Sequence, residues 1–407
     1  VKRDSYYGAN QSLSDYGLTK DLSYTAGIQY NARFSQSGFT VGLENIGTRL
    51  HDQKLGYPDY ENAVIENGAI IAIPHTQNTT VVNQTTRTTG MFGQYEITWD
   101  KLTASAGARY DHYFIGGNGE TTSSKSGNVF SPRLSLKYDL LEYLQARLSY
   151  SQGYRAPQVF DEDLHIETSG SRQVIHVNDP DLTQEHSHSY MASLDFNRSL
   201  GSTSVGLLVE GFHTRLNDPF ANEFSEPDEN GVVTYTRINA EGGAKVSGLN
   251  TELNVVPAEN FNMTAGFTFQ ESRYDEKQEF GEKRFFRTPG DYGFITADWN
   301  IGEQAGISST GTYTGKMVVP YFGPLATDPD AGELRETSPF FDLGMKAHYQ
   351  VKINGASMQL FAGVKNIFNS YQSDFDSGID RDPGYIYGPM SPRTVYAGIK
   401  IGNMLRR

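Results

Sequence analysis

The sequence predicts an all-β protein, a transmembrane antiparallel up-and-down β-barrel. Three observations predict it. Segment after segment alternates apolar and polar residues with a period of two. No run approaches the 18 or more apolar residues of a membrane helix. Short connections alternate with long polar ones. A strand with one wholly apolar face suits a position between lipid and water. A chain that crosses a bilayer with strands must close them on one another, because lipid offers no partner to an unpaired backbone group.

The elements follow in order. From Leu22 the apolar positions are Leu22, Tyr24, Ala26, Ile28, Tyr30, Ala32 and Phe34, interleaved with Ser23, Thr25, Gly27, Gln29, Asn31 and Arg33. No helical period competes over that stretch. From Leu102 the outer set is Leu102, Ala104, Ala106, Ala108 and Tyr110, against Thr103, Ser105, Gly107, Arg109 and Asp111. Leu144, Ala146, Leu148 and Tyr150 oppose Gln145, Arg147, Ser149 and Ser151. Met358–Asn369 and Ser391–Gly402 repeat the pattern. In the last strand Val395, Ala397, Ile399 and Ile401 face one way, and Tyr396, Gly398, Lys400 and Gly402 the other.

Short connections are expected near Asp100, Leu141–Tyr143, Leu200–Ser202 and Ala258–Asn260. Long ones are expected near Gly47–Thr80, Ala156–Glu185, Tyr321–Ser338 and Ser373–Gly384. Tight turns at one end and long loops at the other are the rhythm of outer-membrane barrels, and the pattern predicts about sixteen strands, an even number. No linker or composition break divides the chain, so residues 1–407 are expected to form one outer-membrane barrel domain. A soluble sandwich would also alternate, but with shorter loops and a core richer in large aliphatics.

Composition narrows the function. Tyr (25) and Phe (23) suit interfacial girdles. The absence of Cys excludes a disulfide scaffold and a thiolate metal site. A net charge of -14 argues against nucleic acid. The first residue is Val1, which reads as the start of a processed or truncated product.

Candidate sites fall in the long connections. Tyr154–Glu185 is the first candidate for ligand contact, with Tyr154, Arg155, His165 and His176. Simpler readings are an inward Arg155 paired with a barrel carboxylate, and solvated loop histidines. Tyr321 and Phe322, at the edge of a long loop, suit stacking on a planar ligand or anchoring in the girdle. Asp374, Asp376, Asp380 and Asp382 suggest a hard-cation loop for Ca²⁺, but the ligand spacing departs from an EF-hand, and a solvated acidic loop is the simpler reading. No nucleophile elbow or phosphate loop is present, so the chain is not expected to be an enzyme.

Several motifs together resemble one family. They are Ala106-Gly107-Ala108-Arg109-Tyr110-Asp111, Phe130-Ser131-Pro132-Arg133-Leu134-Ser135, Ser149 through Pro157, Gly248-Leu249-Asn250-Thr251-Glu252-Leu253, and Val364-Lys365-Asn366-Ile367-Phe368-Asn369. The chain resembles the TonB-dependent outer-membrane receptors, in a version common in Bacteroidetes. The resemblance implies active uptake of a scarce bulky nutrient: an iron-siderophore, haem or cobalamin. It implies no required cofactor, although the cargo itself can carry iron. It further implies coupling to TonB-ExbB-ExbD through an N-terminal region, contact with outer-membrane lipid, and in related systems a surface lipoprotein.

Haem receptors of the family look similar around Tyr154-Arg155-Ala156-Pro157 and Asn178-Asp179-Pro180-Asp181-Leu182. There an imidazole from His165 or His176 would be the iron ligand. The family pattern has 22 strands around a plug. About sixteen strands leave six unaccounted for (22 − 16 = 6), and no plug-like segment is visible, so the chain is read as a carboxy-terminal barrel portion without the plug. A passive sixteen-stranded porin, a surface binding module without transport, and an enzyme embedded in a barrel stand as alternatives.

Overall fold

The computed structural model describes residues 2–6, 16–54, 59–74, 79–117, 124–158, 173–226, 228, 232–329, 331–353, 356–378, 381–382 and 384–403. In chain order the strands are β1 (Lys2–Tyr6), β2 (Tyr16–Arg33), β3 (Ser37–Lys54), β4 (Val64–Glu66), β5 (Ala69–Ala72), β6 (Thr79–Trp99), β7 (Leu102–Gly117), β8 (Lys125–Leu141) and β9 (Leu144–Arg155). Then come β10 (Gln173–Asn178), β11 (Glu185–Leu200), β12 (Thr203–Asn217), β13 (Phe220–Phe224), β14 (Val232–Asn239), β15 (Ala244–Ala258) and β16 (Phe261–Tyr274). The last are β17 (Asp291–Ile301), β18 (Ala305–Thr314), β19 (Val318–Tyr321), β20 (Glu333–Glu336), β21 (Phe340–Ile353), β22 (Ala356–Lys365) and β23 (Thr394–Asn403).

Sixteen strands form one meander in the order β1-β2-β3-β6-β7-β8-β9-β11-β12-β15-β16-β17-β18-β21-β22-β23. Neighbours in this sheet are antiparallel, as in β2 with β3, β11 with β12 and β22 with β23. The expected total of about sixteen is therefore a correction: it counts the main sheet only. Long loops read as plain polar connections carry further short strands, paired as β4-β5, β10-β14-β13 and β19-β20. Closure is a second correction. β1 and β23 are the two ends of the main sheet, and no pairing joins them among the described residues.

Register sets outer apolar residues opposite one another on neighbouring strands. Ile28 faces Leu43, Met91 faces Tyr110, Tyr110 faces Phe130, Leu360 faces Ile399, and all lie on the outer side. Ile28 is 73% exposed and Val395 is 75% exposed. In water each such side chain would forgo about 1.5–3 kcal/mol of burial. A lipid surround removes that penalty, which is why the alternation is tolerated.

The inner side is polar. Arg109 donates from Nε to both Asp111 oxygens at 2.8 Å and from Nη1 to Glu44 at 2.9 Å, tying β7 to β3. Gly90 on β6 leaves room for this pair, since a Cβ there would collide with the Asp111 carboxylate and the Arg109 guanidinium.

Strand ends shift relative to the sequence reading. The segment read as a strand to Asn369 stops at Lys365. Asn366 has φ 49° and Asn369 φ 56°. The Asn366 amide donates to the Ser370 and Ser391 carbonyls at 3.1 and 3.0 Å, so Asn366–Asn369 is a turn. At the other extreme β3 runs on to Lys54, well into the expected loop.

Candidate functional site

Large buried apolar residues gather at the long-loop end, in two clusters. The first grows from β7, β8 and β9. Inner-facing Tyr113 and Ile115 bury with Val129, and Tyr154 and Ala156 pack on them. The rings of Tyr113 and Tyr154 stack at 6.1 Å, and the Tyr113 hydroxyl donates to Gln184 at 2.6 Å.

One residue further, Arg155 sits opposite Glu185 in register and places its guanidinium 5.7 Å from the Phe220 ring. The Phe220 N–H donates to Glu185 at 3.0 Å. These contacts fasten the tip of β9 to the loop sheet β10-β14-β13. Within that sheet the backbone of His176 lies opposite Tyr235. His165 lies outside the described residues.

The stretch Asn178–Leu182 is a brace. Lys125 donates from Nζ to the carbonyls of Asp179, Pro180 and Leu182 at 3.0, 2.8 and 2.6 Å. Leu182 is buried, and the Asp181 N–H donates to Asp179 Oδ1 at 2.6 Å. These residues hold the loop in shape. Lys125 escaped the sequence reading, because a lysine next to a polar loop carries no local signature.

The second cluster joins two loops, the β18–β21 and β22–β23 connections. Val319, Tyr321, Ala326 and Tyr385 bury together, with Tyr387 against them. Tyr321 was expected at a loop edge, open to a planar ligand. It is 1% exposed, with Tyr385 edge-on at 4.7 Å and the Arg335 guanidinium 3.5 Å from its ring centroid. Phe322 is also buried, beside Phe280 at 5.9 Å. In this arrangement both rings belong to a packed core, because neighbouring loops supply the partners a ligand would otherwise be.

The aspartates serve the same core. Asp374 accepts the hydroxyls of Tyr385 and Tyr387 at 3.1 and 2.7 Å. Asp376 accepts the Asp382 N–H at 2.9 Å. Asp382 accepts the N–H groups of Phe322 and Gly384, each at 2.8 Å. Asp380 lies outside the described residues. No group of three metal-ligating side chains occurs among the described residues. Asp374 and Asp376, two of the aspartates expected to form a hard-cation loop, accept hydrogen bonds from protein donors in this arrangement.

Burial raises the Asp382 carboxyl above the ordinary aspartate range, despite its N–H donors. Burial lowers the Arg287 guanidinium, and Asp382 works against that shift. Arg287 donates to the Gly384 and Ile386 carbonyls at 2.7 Å, locking the last loop to the β16–β17 connection. Burial and the neighbouring Asp374 push the Tyr385 and Tyr387 phenols up. Hydrogen bonds from Arg284 hold Glu282 at about 2. The sequence reading also missed Gln372. It is 1% exposed, donates to the Tyr385 carbonyl at 2.9 Å, and accepts the N–H groups of Tyr387 and Gly388 at 2.9 and 3.2 Å.

Comparison with known proteins gives a consistent answer. Residues 2–367 match the family model described as TonB dependent receptor-like, beta-barrel. The ferrienterobactin receptor of Escherichia coli (strain K12) is 23% identical over 283 residues, covering 66% of this chain and 35% of that protein. The TonB-dependent heme receptor A of Haemophilus influenzae (strain 86-028NP) is 31% identical over 110 residues, covering 24% of this chain and 15% of that protein. The chain therefore spans about a third or less of the curated relatives it matches.

Among solved structures, the copper transporter OprC superposes with a TM-score of 0.67 at 11% identity, covering 94% of this chain and 57% of that one. FpvA of P. aeruginosa bound to heterologous pyoverdines gives 0.64 at 17% identity, covering 97% and 50%. At these identities the superpositions speak for the fold alone.

Proposed function

We propose, from the premise that this chain belongs to the TonB-dependent receptor β-barrel family, that it is the greater part of the barrel of an active outer-membrane uptake receptor. Its cargo is a scarce bulky nutrient of the iron-siderophore, haem or cobalamin class. The observation that carries this reading is the asymmetry of the meander. One end has tight turns, and the other has long connections folded into packed clusters and an extra sheet. A rigid wall with an elaborated mouth suits capture of a large ligand, since ordered loops lose less entropy on binding than free ones.

Closure follows from the same reading. Among the described residues the outer edges of β1 and β23 pair with no further strand, and lipid would not satisfy the backbone groups of such edges. The structural neighbours extend well beyond this fold, with 57% and 50% of their chains covered. Six further strands would complete a 22-stranded barrel around a plug. Energy then comes from TonB-ExbB-ExbD through a segment outside this chain. A Bacteroidetes type of receptor and a capping surface lipoprotein are parts of the same proposal. The relatives matched are receptors and transporters, and nothing favours the passive porin.

Arg155 and the loop sheet are the proposed cargo surface, with His165 or His176 supplying an axial imidazole if the cargo is haem. Growth tests this. A deletion strain supplied with haem, cobalamin or a ferric siderophore as the limiting nutrient is expected to fail on one of them and recover with the intact gene. Equal growth on all of them would overturn the uptake reading. Retention of wild-type haem use after both histidines become alanine would overturn haem ligation.

A further inference from the structure

The main sheet parts between β8 and β9. Their ladder runs from Leu141 opposite Leu144 to Arg133 opposite Ser151 and ends there. The ladders on either side run on. β7 and β8 stay paired up to Ile115 opposite Lys125, and β9 and β11 up to Arg155 opposite Glu185. An unbroken register would have set Pro132 opposite Gln152 and Phe130 opposite Tyr154. Two features open the seam. The Asp139 N–H donates to Lys101 at 2.9 Å, so odd-numbered residues of β8 turn their backbone groups to β7 and even-numbered ones to β9. Pro132 is even-numbered, and the N–H it lacks is one that β9 would have received. Above it the tip of β9 bends toward the lumen. Tyr154 lies four residues beyond outward-facing Tyr150, yet its ring stacks on inward-facing Tyr113 at 6.1 Å.

A stretch of β8 is left with one open edge. The N–H and C=O groups of Ser126, Asn128 and Phe130 point to it, and among the described residues no backbone group meets them there. Their side chains are exposed on the outer face. Phe130 and its neighbour Tyr110 stand where the apolar wall gives way to His112 and Asn128, which join at 3.0 Å. The edge therefore begins at the lipid boundary and rises into water. On the lumen side it is covered. Tyr154 and Ala156 pack on Tyr113, Ile115 and Val129, and Lys125 ties down the carbonyls of Asp179, Pro180 and Leu182. Next to the end of the ladder, the buried Ser131 Oγ has no hydrogen-bond partner among the described residues.

We infer that this edge takes an extended segment of a partner protein as an added strand, from outside the wall on the long-loop side. Donors and acceptors repeating every second residue, about 6.8 Å apart, match the backbone of a β-strand. An apolar occupant would leave them unpaired. A second copy of this chain does not fit. Two β8 edges paired antiparallel would turn the second barrel upside down in the same membrane. A parallel pair is not self-complementary, because its slanted bonds treat the two strands differently. Cargo in the lumen meets the tip of β9 before it reaches the edge. The inference rests on the outer-membrane reading above, which puts the long loops in water.

Hydrogen exchange of the full-length receptor tests this. Fragmentation mass spectrometry reads the amides of Ser126, Asn128 and Phe130 in native outer-membrane vesicles, and again after purification in detergent to a single polypeptide. They are expected to exchange at least about tenfold more slowly in the vesicles. Asn128→Pro removes the middle donor, a change an edge strand tolerates. It should bring Ser126 and Phe130 in vesicles to the detergent rate, with exchange in β2 and β3 and growth on the limiting nutrient unchanged. Fast exchange in both settings would overturn the inference, since no strand is added. Slow exchange in both would overturn it, since the chain itself would then fill the edge. Slow exchange of the Asn128→Pro variant in vesicles would point to shielding by lipid and overturn it as well. These outcomes leave the uptake reading standing, and the growth tests above decide that reading separately.

Discussion

The wall of the sheet and the cap of folded loops use the same kinds of side chain in opposite ways. On the wall, Leu22, Ile28, Val395 and Ile401 point outward and stand 66%, 73%, 75% and 75% exposed. In the cap, Val319 and Tyr321 are 0% and 1% exposed. The difference is one of solvent. A cap surrounded by water must hide its apolar surface against itself. A wall surrounded by lipid must display it. Exposed hydrophobics on β2 and buried ones on β19 therefore obey one rule with two media.

The sharpest way to break this comparison is truncation in each region. Tyr321→Ala is expected to cost about 3–5 kcal/mol of local cap stability, the range for deleting a large buried aromatic. Faster hydrogen exchange across Val318–Glu336 would report it. Ile28→Ala on the wall should leave exchange in β2 and β3 near wild type. Similar losses at both positions would mean that the wall is packed against protein and not lipid.

Charge sharpens the comparison from the other side. Ile28→Arg places a cation on the lipid face of mid-strand and should cost about 2–4 kcal/mol in reversible bilayer folding. Gln29→Arg, one residue along and on the inner face, should cost little. Equal costs would remove the distinction between faces.

Next in size is the amide in the cap. Gln372→Ala would strand the Tyr387 and Gly388 N–H groups and the Tyr385 carbonyl, costing about 1–3 kcal/mol. Limited proteolysis between Ser370 and Ser391 should accelerate, and unchanged cleavage would show that water replaces the amide.

The smallest effect is a pH dependence confined to the cap. Asp382 has its folded carboxyl raised above the ordinary 3.8 by burial. A raised acid binds more protons when folded, so its contribution is fully present below the ordinary value and lost as pH rises through the raised one. Glu282 has the opposite sign. Its folded value of about 2 lies below the ordinary 4.5, so its contribution is present above 4.5 and lost as pH falls toward 2. On mild acidification the last loop is expected to tighten while the Glu282 loop is unaffected, and in stronger acid the Glu282 loop should loosen. Asp382→Asn should abolish the first trend in loop exchange measured against pH. Parallel behaviour of the two loops would contradict the assignment.

Legibility followed the same division. The wall was read from local pattern: Leu102 to Tyr110 alternates, and β7 runs from Leu102 with Tyr110 on its exposed side. The tight turns at Asp100 and Leu200–Ser202 fell where they were expected. The cap was not legible. Tyr321, Phe322 and Asp374 looked like surface residues in polar loops, because the partners that bury them come from segments far along the chain. Arg287 reaches Ile386 across 99 residues, and Tyr385 meets Tyr321 from another loop.

By itself, then, the sequence determined the approximate strands of the main sheet, the outward face of those with clear alternation, the alternation of turns and loops, and through its motifs the family. Period-two alternation is a property of neighbouring residues, so a single strand displays it without knowing its partners. Only the tertiary structure decided which loop residues are core, which carboxylates are acceptors for protein donors, and where β9 parts from β8. Those facts depend on register and on contacts between distant segments, and neither is written in any local stretch of chain.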